Sequence, residues 1–318
     1  MASCELDCKA IHESWGRLST LVRTLATRTT QIQRREIRET YKAMYGEDLL
    51  SHLQRLKKEK LGNEESKFSF KACEALFFWM SEPWERDACL AKDALEGNEI
   101  DYNALVEIFV AKKSSHILMV KQAYQTRYKR KLDQDIICLE PPHPCQKILV
   151  ALSTSHKADD GDQVSQDIAK CDAIRLYQNG EGTSSSINEP FILEILSKRS
   201  ISHLKLTFSS YKRIYGHNYT KQLKKESCTQ FEDALRNLVE CIQNPPKYYA
   251  KVLQRSIKGG KMKRDYLTRL IVSRAAIDME EIQKILSKKY KIELRDALCQ
   301  LIPKGDYRDF MLALIGVT

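Results

Sequence analysis

The stretch Leu105-Val-Glu-Ile-Phe-Val-Ala-Lys112 has apolar residues at its first, fourth and fifth positions and a basic residue at its eighth. These positions share one face of an α-helix, so the stretch predicts an amphipathic helix. The pattern occurs four times, with Thr24 as the weak member of the first copy, and the copies are Leu21–Arg28, Leu105–Lys112, Ile192–Arg199 and Leu267–Arg274. Their spacing of about 80 residues predicts four copies of one helical unit.

The sequence around each copy also indicates helices. Each basic residue is followed 16 or 17 positions later by a tyrosine, and these are Tyr45, Tyr128, Tyr215 and Tyr290. Pro83–Gly97 and Pro245–Gly259 each begin with proline and end with glycine, which is typical of helix starts and ends. We therefore predict an all-α protein with four repeats of about five helices each, at residues 8–97, 98–165, 171–255 and 256–317.

The composition excludes several classes of protein. Gly (12) and Pro (8) are few for 318 residues, which disfavours an all-β fold with many tight turns. With 30% charged residues and no apolar run of membrane-spanning length, we expect no transmembrane segment. The first residues carry no secretory signal, so we expect a cytoplasmic protein with reduced cysteines. The net charge of +10 favours a polyanionic partner, either anionic lipid or nucleic acid.

Four segments of the chain are distinctive: Ile37-Arg-Glu-Thr-Tyr-Lys-Ala-Met-Tyr-Gly-Glu-Asp-Leu-Leu50, Pro83-Trp-Glu-Arg-Asp-Ala88, Leu267-Thr-Arg269 with Ser273-Arg-Ala275, and Gly305-Asp-Tyr-Arg-Asp-Phe310. Through them the sequence resembles the annexin family, most of all the plant annexins, over essentially its whole length. The resemblance implies four repeats arranged as a curved α-helical disc. It also implies a peripheral membrane protein whose convex face binds anionic phospholipid through calcium, and it leaves oligomers on the membrane open.

The resemblance implies a particular kind of calcium site. It consists of a Gly-x-Gly-Thr loop between two helices and an acidic residue about 39 positions later. Calcium takes six to eight oxygen ligands, so loop carbonyls supply several and a bidentate carboxylate supplies two more. The glycines allow the backbone to turn its carbonyls inward, and the remaining coordination is left for a lipid phosphate.

The first and fourth repeats depart from this calcium pattern. The first loop, Glu13-Ser-Trp-Gly-Arg17, has a single glycine, and the nearest downstream acid is Glu59. The fourth loop reads Lys258-Gly-Gly-Lys261, and Gln300 stands where the acid is expected. We therefore predict weakened or lost calcium binding in repeats 1 and 4, where the remaining metal candidates are Gly16, Gly259 and Gly260.

The third repeat contains a literal Gly180-Glu-Gly-Thr183, but it lies four residues too early relative to Arg199. Glu226 follows at a correspondingly longer spacing. One interpretation is a calcium site formed by Gly180, Gly182 and Glu226. The other is a flexible linker, because residues 154–190 concentrate Gly, Ser, Asp and Asn, and the motif arises easily by chance in such a segment.

Residues 251–270 are strongly basic, with seven Lys or Arg against Asp265 alone. One interpretation is a solvated helix face. The other is that four side chains replace calcium as the positive charge facing lipid headgroups, each contributing on the order of 1 kcal/mol near an anionic leaflet. These four are Lys258, Lys261, Lys263 and Arg264. Trp15 either places its indole in the headgroup layer or is a half-buried loop residue.

No motif in the sequence predicts catalysis. The histidines lack ligand spacing, there is no phosphate-binding glycine loop, and Lys42 stands where some plant annexins have a histidine linked to peroxidase-like activity. We therefore expect a non-enzymatic protein that binds anionic membranes. The alternative is a helical-repeat scaffold that binds nucleic acid or protein through its basic surface. The repeated basic residues are predicted to be structural, pairing with acids or carbonyls between helices, and they are Arg28, Lys112, Arg199 and Arg274.

Overall fold

The computed structural model describes residues 2–14, 16–59, 67–97, 100–110, 112–140, 142–154, 164–179, 189–223, 230–259 and 264–316. Every regular element within these ranges is helical, so the predicted all-α fold is confirmed. No helix of the described ranges is both long and apolar enough to cross a membrane.

The helices of the described ranges form four successive sets of five, as the repeat pattern predicts. The first set is α1 (Ala2–Glu13), α2 (Leu18–Ala26), α3 (Gln31–Tyr45), α4 (Leu49–Glu59) and α5 (Lys67–Met80). The second set is α6 (Pro83–Glu96), α7 (Tyr102–Phe109), α8 (Ser114–Tyr128), α9 (Leu132–Ile137) and α10 (Pro144–Thr154). The third set is α11 (Gln166–Gln178), α12 (Glu189–Lys198), α13 (Ile201–Tyr215), α14 (Tyr219–Gln222) and α15 (Gln230–Gln243). The fourth set is α16 (Pro245–Lys258), α17 (Arg264–Arg274), α18 (Met279–Ile285) with a π-helix (Leu286–Tyr290), α19 (Leu294–Leu301) and α20 (Asp306–Ile315). We call these sets repeats 1 to 4; the repeat boundaries given from the sequence stay a prediction.

The chain divides into two compact units. Unit 1 comprises residues 1–83 and 249–318, and unit 2 comprises residues 84–248. In unit 1 the second and fifth helices of repeats 1 and 4 pack together, and these are α2, α5, α17 and α20. In unit 2 the equivalent helices of repeats 2 and 3 pack together, and these are α7, α10, α12 and α15. The apolar face of the repeated stretch therefore builds the core of each unit.

Trp79 ties the end of α2 to the core of unit 1. Its side chain is 1% exposed, and its indole N–H donates to the Leu25 carbonyl at 3.1 Å. The Arg34 guanidinium lies 4.0 Å from the Trp79 ring centre and donates to the carbonyls of Arg28 and Thr29. The turn from α2 to α3 is thereby held by a buried hydrogen bond and a cation–π contact.

The third helix of repeats 1 and 3 has clear start and stop signals. Thr30 and Gln33 form a capping box at the start of α3, and Ser200 caps the start of α13. Both helices end at a glycine in the left-handed region, with φ of +73° at Gly46 and +75° at Gly216. Local sequence therefore fixes the ends of these two helices.

The repeated basic residues join the second helix of a repeat to its first. In three repeats the partner is an aspartate of the first helix: Arg28 pairs with Asp7, Lys112 with Asp87 at 2.9 Å, and Arg199 with Asp172 at 2.7 Å. Asp87 and Asp172 are only 4% and 1% exposed. Each also accepts from a histidine four residues beyond the basic residue, His116 or His203. The predicted structural role of these three basic residues is confirmed.

The fourth repeat makes the equivalent contact with different chemistry. Tyr249 of α16 takes the position of the aspartate, and the Arg274 guanidinium lies 4.5 Å from the Tyr249 ring centre. Arg274 Nε also lies 2.7 Å from Asp278 Oδ1, four residues further along the chain. A cation–π contact and a local ion pair therefore replace the ion pair between helices.

Candidate functional site

The loop between α1 and α2, which carries the predicted site residues Trp15 and Gly16, is a tight turn. Gly16 has a φ of +89°, a region that favours glycine. The Arg17 N–H donates to the Ser14 carbonyl at 2.8 Å, so the turn uses that carbonyl internally. The Arg17 side chain is exposed and has no partner in the described part of the chain. Trp15 lies outside the described residues.

Two carboxylates of repeat 1, those of Glu59 and Glu74, are considered as candidate calcium ligands. Glu59 is the exposed last residue of α4, and residues 60–66 lie outside the described ranges. Glu74 of α5 is 8% exposed and accepts from Lys57 Nζ at 2.6 Å and Lys71 Nζ at 3.0 Å. Burial acts to raise the pKa of Glu74, but the two ammonium groups outweigh it and hold the pKa below its usual value. A carboxylate already shared by two lysines does not fit a calcium ligand.

Of the two glycines predicted as metal candidates in the fourth loop, the structure describes Gly259. Gly259 directly follows α16, where a Cβ would meet the Arg255 carbonyl of the same helix at 3.0 Å. Gln300 is exposed on α19 and offers an amide instead of a carboxylate. The other residues predicted here are Gly260, Lys261 and Lys263, which lie outside the described residues, and Arg264, which begins α17 and whose side chain is not described.

The basic stretch at residues 251–270 is divided by the structure. Lys258 and Arg255 are exposed near the end of α16. Arg269 is 8% exposed, and its guanidinium lies 4.2 Å from the Tyr266 ring centre. The interpretation of residues 251–270 as a solvated helix face therefore does not apply to Arg269. The helical period of α17 turns Arg269 inward, beside the buried Leu270.

Lys304 adds a basic side chain that the sequence analysis missed. It is exposed in the loop between α19 and α20, just beyond Gln300, and it has no side-chain partner among the described residues. The next acid, Asp306, lines a groove between α2 and α20, where burial and the neighbouring Asp309 raise its pKa. The predicted calcium pattern has an acidic ligand about 39 positions after the loop, so a lysine was not considered. Lys304 could have been found by examining every charged residue in this loop.

In repeat 2, an aromatic stack joins the loop between α6 and α7 to the loop between α9 and α10. Tyr102 begins α7, after the first loop, and its ring lies 3.9 Å from the His143 ring with planes 15° apart. His143 lies just before α10, in the last loop. Burial lowers the pKa of His143 and raises that of Tyr102. These loops are therefore held together by packing, in a contact that the sequence analysis did not foresee.

The third-repeat candidates Gly180, Gly182 and Glu226 lie outside the described residues, so a site there stays a prediction. Across the ranges that the structure describes, no three His, Cys, Asp or Glu side chains cluster as a metal site. A site of the kind predicted here takes most of its ligands from loop carbonyls and one carboxylate, and Glu226 would be that carboxylate.

Comparison with known proteins identifies the family of this fold. The family model described as Annexin matches residues 7–59, 86–140, 172–238 and 248–314. The annexin-like protein RJ4 of Fragaria ananassa is 32% identical over 313 residues, which cover 98% of this chain and 95% of that protein. Annexin D7 of Arabidopsis thaliana is 31% identical over 315 residues, with the same coverage of 98% and 95%.

The structural comparison agrees with the sequence comparison. The solved structure of annexin III superposes with a TM-score of 0.83 at 30% identity and covers 98% of this chain and 94% of that one. The four family-model matches correspond to four sets of five helices, and the plant relatives match nearly end to end. The chain belongs to the annexin family.

Proposed function

We propose that this annexin binds anionic phospholipid surfaces through exposed lysine and arginine side chains, with calcium binding weakened or lost in repeats 1 and 4. Annexins are known for calcium-dependent phospholipid binding. The observation that carries the proposal is the charge at the loops where calcium would be held. There, Arg17, Lys258 and Lys304 are exposed and have no side-chain partner in the described chain.

The magnitude of this charge is sufficient for measurable binding. Each Lys or Arg near an anionic leaflet contributes on the order of 1 kcal/mol. Lys261, Lys263 and Arg264 follow within six residues of Lys258 in the sequence and add positive charge between α16 and the start of α17. The net charge of +10 favours the approach to a negative surface. In this mode the ammonium and guanidinium groups contact lipid phosphates directly, so no metal bridge is required.

The alternative function is a scaffold that binds nucleic acid or protein. Binding of single-stranded nucleic acid uses exposed aromatic rings on which bases stack. One helical turn before Tyr45, Tyr128 and Tyr215 lies a second tyrosine in each repeat. These are Tyr41, Tyr124 and Tyr211, and each is 0% exposed, so these rings are core residues. Their burial favours a lipid surface over a base-stacking surface, and we propose a non-enzymatic, peripheral membrane role.

Co-sedimentation with liposomes tests this function. Vesicles of phosphatidylserine and phosphatidylcholine are compared with vesicles of phosphatidylcholine alone, in chelator and with added calcium. The proposal expects binding to the anionic vesicles in chelator at low salt, and a decrease as salt rises. Binding that appears only with calcium and is indifferent to salt would contradict it.

A matched pair of variants locates the binding charge. Lys258→Glu with Lys304→Glu reverses two exposed charges at the loops of repeat 4, and it is expected to weaken binding in chelator. Lys205→Glu with Lys212→Glu makes the same change in net charge on α13, where both lysines are exposed. Equal loss of binding in the two variants would mean that net charge alone, and not these loops, attracts the membrane.

A further inference from the structure

A chain of hydrogen bonds runs through repeat 1 from α1 to α4. His12 Nδ1 lies 3.2 Å from the Tyr41 hydroxyl, and that hydroxyl lies 3.0 Å from His52 Nδ1. The other nitrogen of His52, Nε2, contacts the Glu47 carboxylate, which also pairs with Arg55 at 3.1 Å. Two histidines therefore share one tyrosine hydroxyl, and His52 also contacts a carboxylate.

The middle of this chain is buried and its ends reach solvent. Tyr41 is 0% exposed and His52 is 7% exposed. His12 is exposed at the end of α1, where its ring stacks on Tyr45 at 3.8 Å with planes 5° apart. Since a buried hydroxyl proton without an acceptor costs about 1–3 kcal/mol, the Tyr41 hydroxyl must donate to one of the two histidines.

The bonding pattern with both histidines neutral follows from the charge on Glu47. The carboxylate accepts only, so His52 Nε2 carries the proton and His52 Nδ1 is an acceptor. Tyr41 then donates to His52, and His12 donates its Nδ1 proton to the Tyr41 oxygen. Every buried donor and acceptor is satisfied, and His12 Nε2 is left towards solvent.

One added proton changes this pattern without loss. If His12 takes it on Nε2, the inner hydrogen bonds stay as they are. If His52 takes it on Nδ1, the His12 proton moves from Nδ1 to the solvent-facing Nε2. The Tyr41 hydroxyl then turns and donates to His12 Nδ1, while His52 donates on both sides. Two added protons cannot be accommodated in the same way, because both Nδ1 atoms then donate to Tyr41. The Tyr41 proton is left without an acceptor, between two cations.

We propose that His12, Tyr41 and His52 form a proton-sensing clamp, which holds the end of α1 on α3 and α4 with up to one added proton and releases it with the second. The groups that act on it are Cys8 from α1, Tyr45 from α3, Glu47 and Asp48 from the turn before α4, and Arg55 from α4. On α5, which packs against α4, Glu74 is engaged by Lys57 and Lys71. The clamp is independent of the proposed lipid binding.

The electrostatic setting agrees with this geometry. Burial raises the pKa of Tyr41 to about 12, so its hydroxyl keeps the shared proton. Burial lowers the pKa of His52, and it outweighs the opposing effect of Glu47. Burial therefore acts on His52 in the direction that opposes its protonation.

Repeats 2 and 3 make the corresponding ring stack and tyrosine hydrogen bond without histidine. In repeat 3, Tyr177 stacks on Tyr215 at 4.0 Å with planes 8° apart, which is the geometry of His12 on Tyr45. In repeat 2 the hydroxyl of Tyr124 donates to Asp135 at 2.7 Å. Neither of these two contacts contains a histidine, the side chain whose ordinary pKa lies between pH 5 and 8.

Histidine titration by NMR in the full-length protein without lipid tests the clamp. In the wild-type protein we expect His12 and His52 to titrate in two coupled steps separated by more than about one pH unit. Below the second step, the protection factors of the α1 amides, which correct for the intrinsic pH dependence of exchange, are expected to fall on the order of tenfold, the factor for one pKa unit. Independent titration of both histidines at one midpoint, with unchanged protection factors in α1, would overturn the proposal.

Three variants sharpen the test. Tyr41→Phe removes the shared proton and is expected to bring the two midpoints together, whereas Tyr124→Phe removes the equivalent hydroxyl of repeat 2 and is expected to leave the repeat 1 steps unchanged. If Tyr41→Phe does not fold, His12→Gln replaces an exposed residue and tests the same point. His52 should then accept its proton about one unit higher than in the second wild-type step. An unchanged His52 midpoint in His12→Gln would contradict the coupling.

Discussion

Within each repeat, the first and second helices are connected by a loop at one end and by side-chain contacts at the other, and these two ends differ. At one end, a basic residue after the second helix meets an aspartate of the first helix in repeats 1, 2 and 3, and a tyrosine in repeat 4. At the other end lie the loops, of which the first has one glycine and the fourth is rich in lysine. The contacts that hold these helices together recur in three repeats, whereas the Gly-x-Gly-Thr sequence occurs literally only at residues 180–183. The fold and the predicted ligand chemistry therefore depend on different residues.

The largest expected effect is at the recurring end. Arg199→Met leaves Asp172, which is 1% exposed, without its guanidinium partner. Removing one partner of a buried ion pair costs about 3–5 kcal/mol, and His203 offsets only part of this. Denaturant unfolding of both proteins gives the change in free energy of unfolding. As a matched control, Arg28→Met should cost less, because Asp7 is 22% exposed at its side chain. Equal costs would mean that burial does not set the strength of these pairs.

The next effect is at the loop end of repeat 4. Lys261→Glu with Lys263→Glu reverses two charges where calcium is expected in the family. Binding to anionic liposomes at low salt should weaken by roughly 2–4 kcal/mol, taking about 1 kcal/mol for each unit of charge changed as the upper scale. Lys205→Glu with Lys212→Glu is again the control. A loop that still binds calcium would leave lipid binding indifferent to these lysines.

A smaller effect concerns the pH dependence of stability that arises from the buried His52 of α4. The pKa of His52 is lowered in the folded protein, so the unfolded chain binds more protons than the folded chain just below pH 6.5. The stability that neutral His52 provides is therefore present above about pH 6.5 and is lost as pH falls through its folded pKa. Thermal unfolding of wild type and His52→Gln from pH 7.5 to 5 checks this. The wild-type melting temperature should fall more steeply with acid, and parallel curves would contradict the sign.

The smallest effect is expected in the third repeat. Glu226→Gln removes the carboxylate that the sequence pairs with the Gly180–Thr183 motif for bidentate binding. Because that motif lies in a Gly- and Ser-rich segment, we expect calcium titration by calorimetry to change little. A large loss of calcium affinity would instead assign a calcium site to repeat 3 and place the remaining metal chemistry there.

The helical repeat could be predicted because its apolar period recurs at the same helical positions in all four copies. The aspartate partners could not, because Asp7, Asp87 and Asp172 precede their basic partners by 21, 25 and 27 residues. Because this spacing varies between repeats, a search at one fixed spacing does not find the aspartates. The stack of Tyr102 on His143 and the sharing of Tyr41 by two histidines depend on the packing of separate helices. Calcium sites are difficult to predict for a further reason, since backbone carbonyls supply most ligands and do not depend on residue type.

Liposome co-sedimentation in chelator across ionic strength tests the central claim most directly. The Debye length falls from about 30 Å at 0.01 M salt to about 8 Å at 0.15 M, so attraction between lysines and a lipid surface is screened over this range. We predict clear binding to phosphatidylserine vesicles at the low end, a steady decrease towards the high end, and little change on adding calcium. No binding in chelator at 0.01 M salt, with recovery on adding calcium, would contradict the account and would mean that the loops around Gly16 or Gly259 still hold the metal.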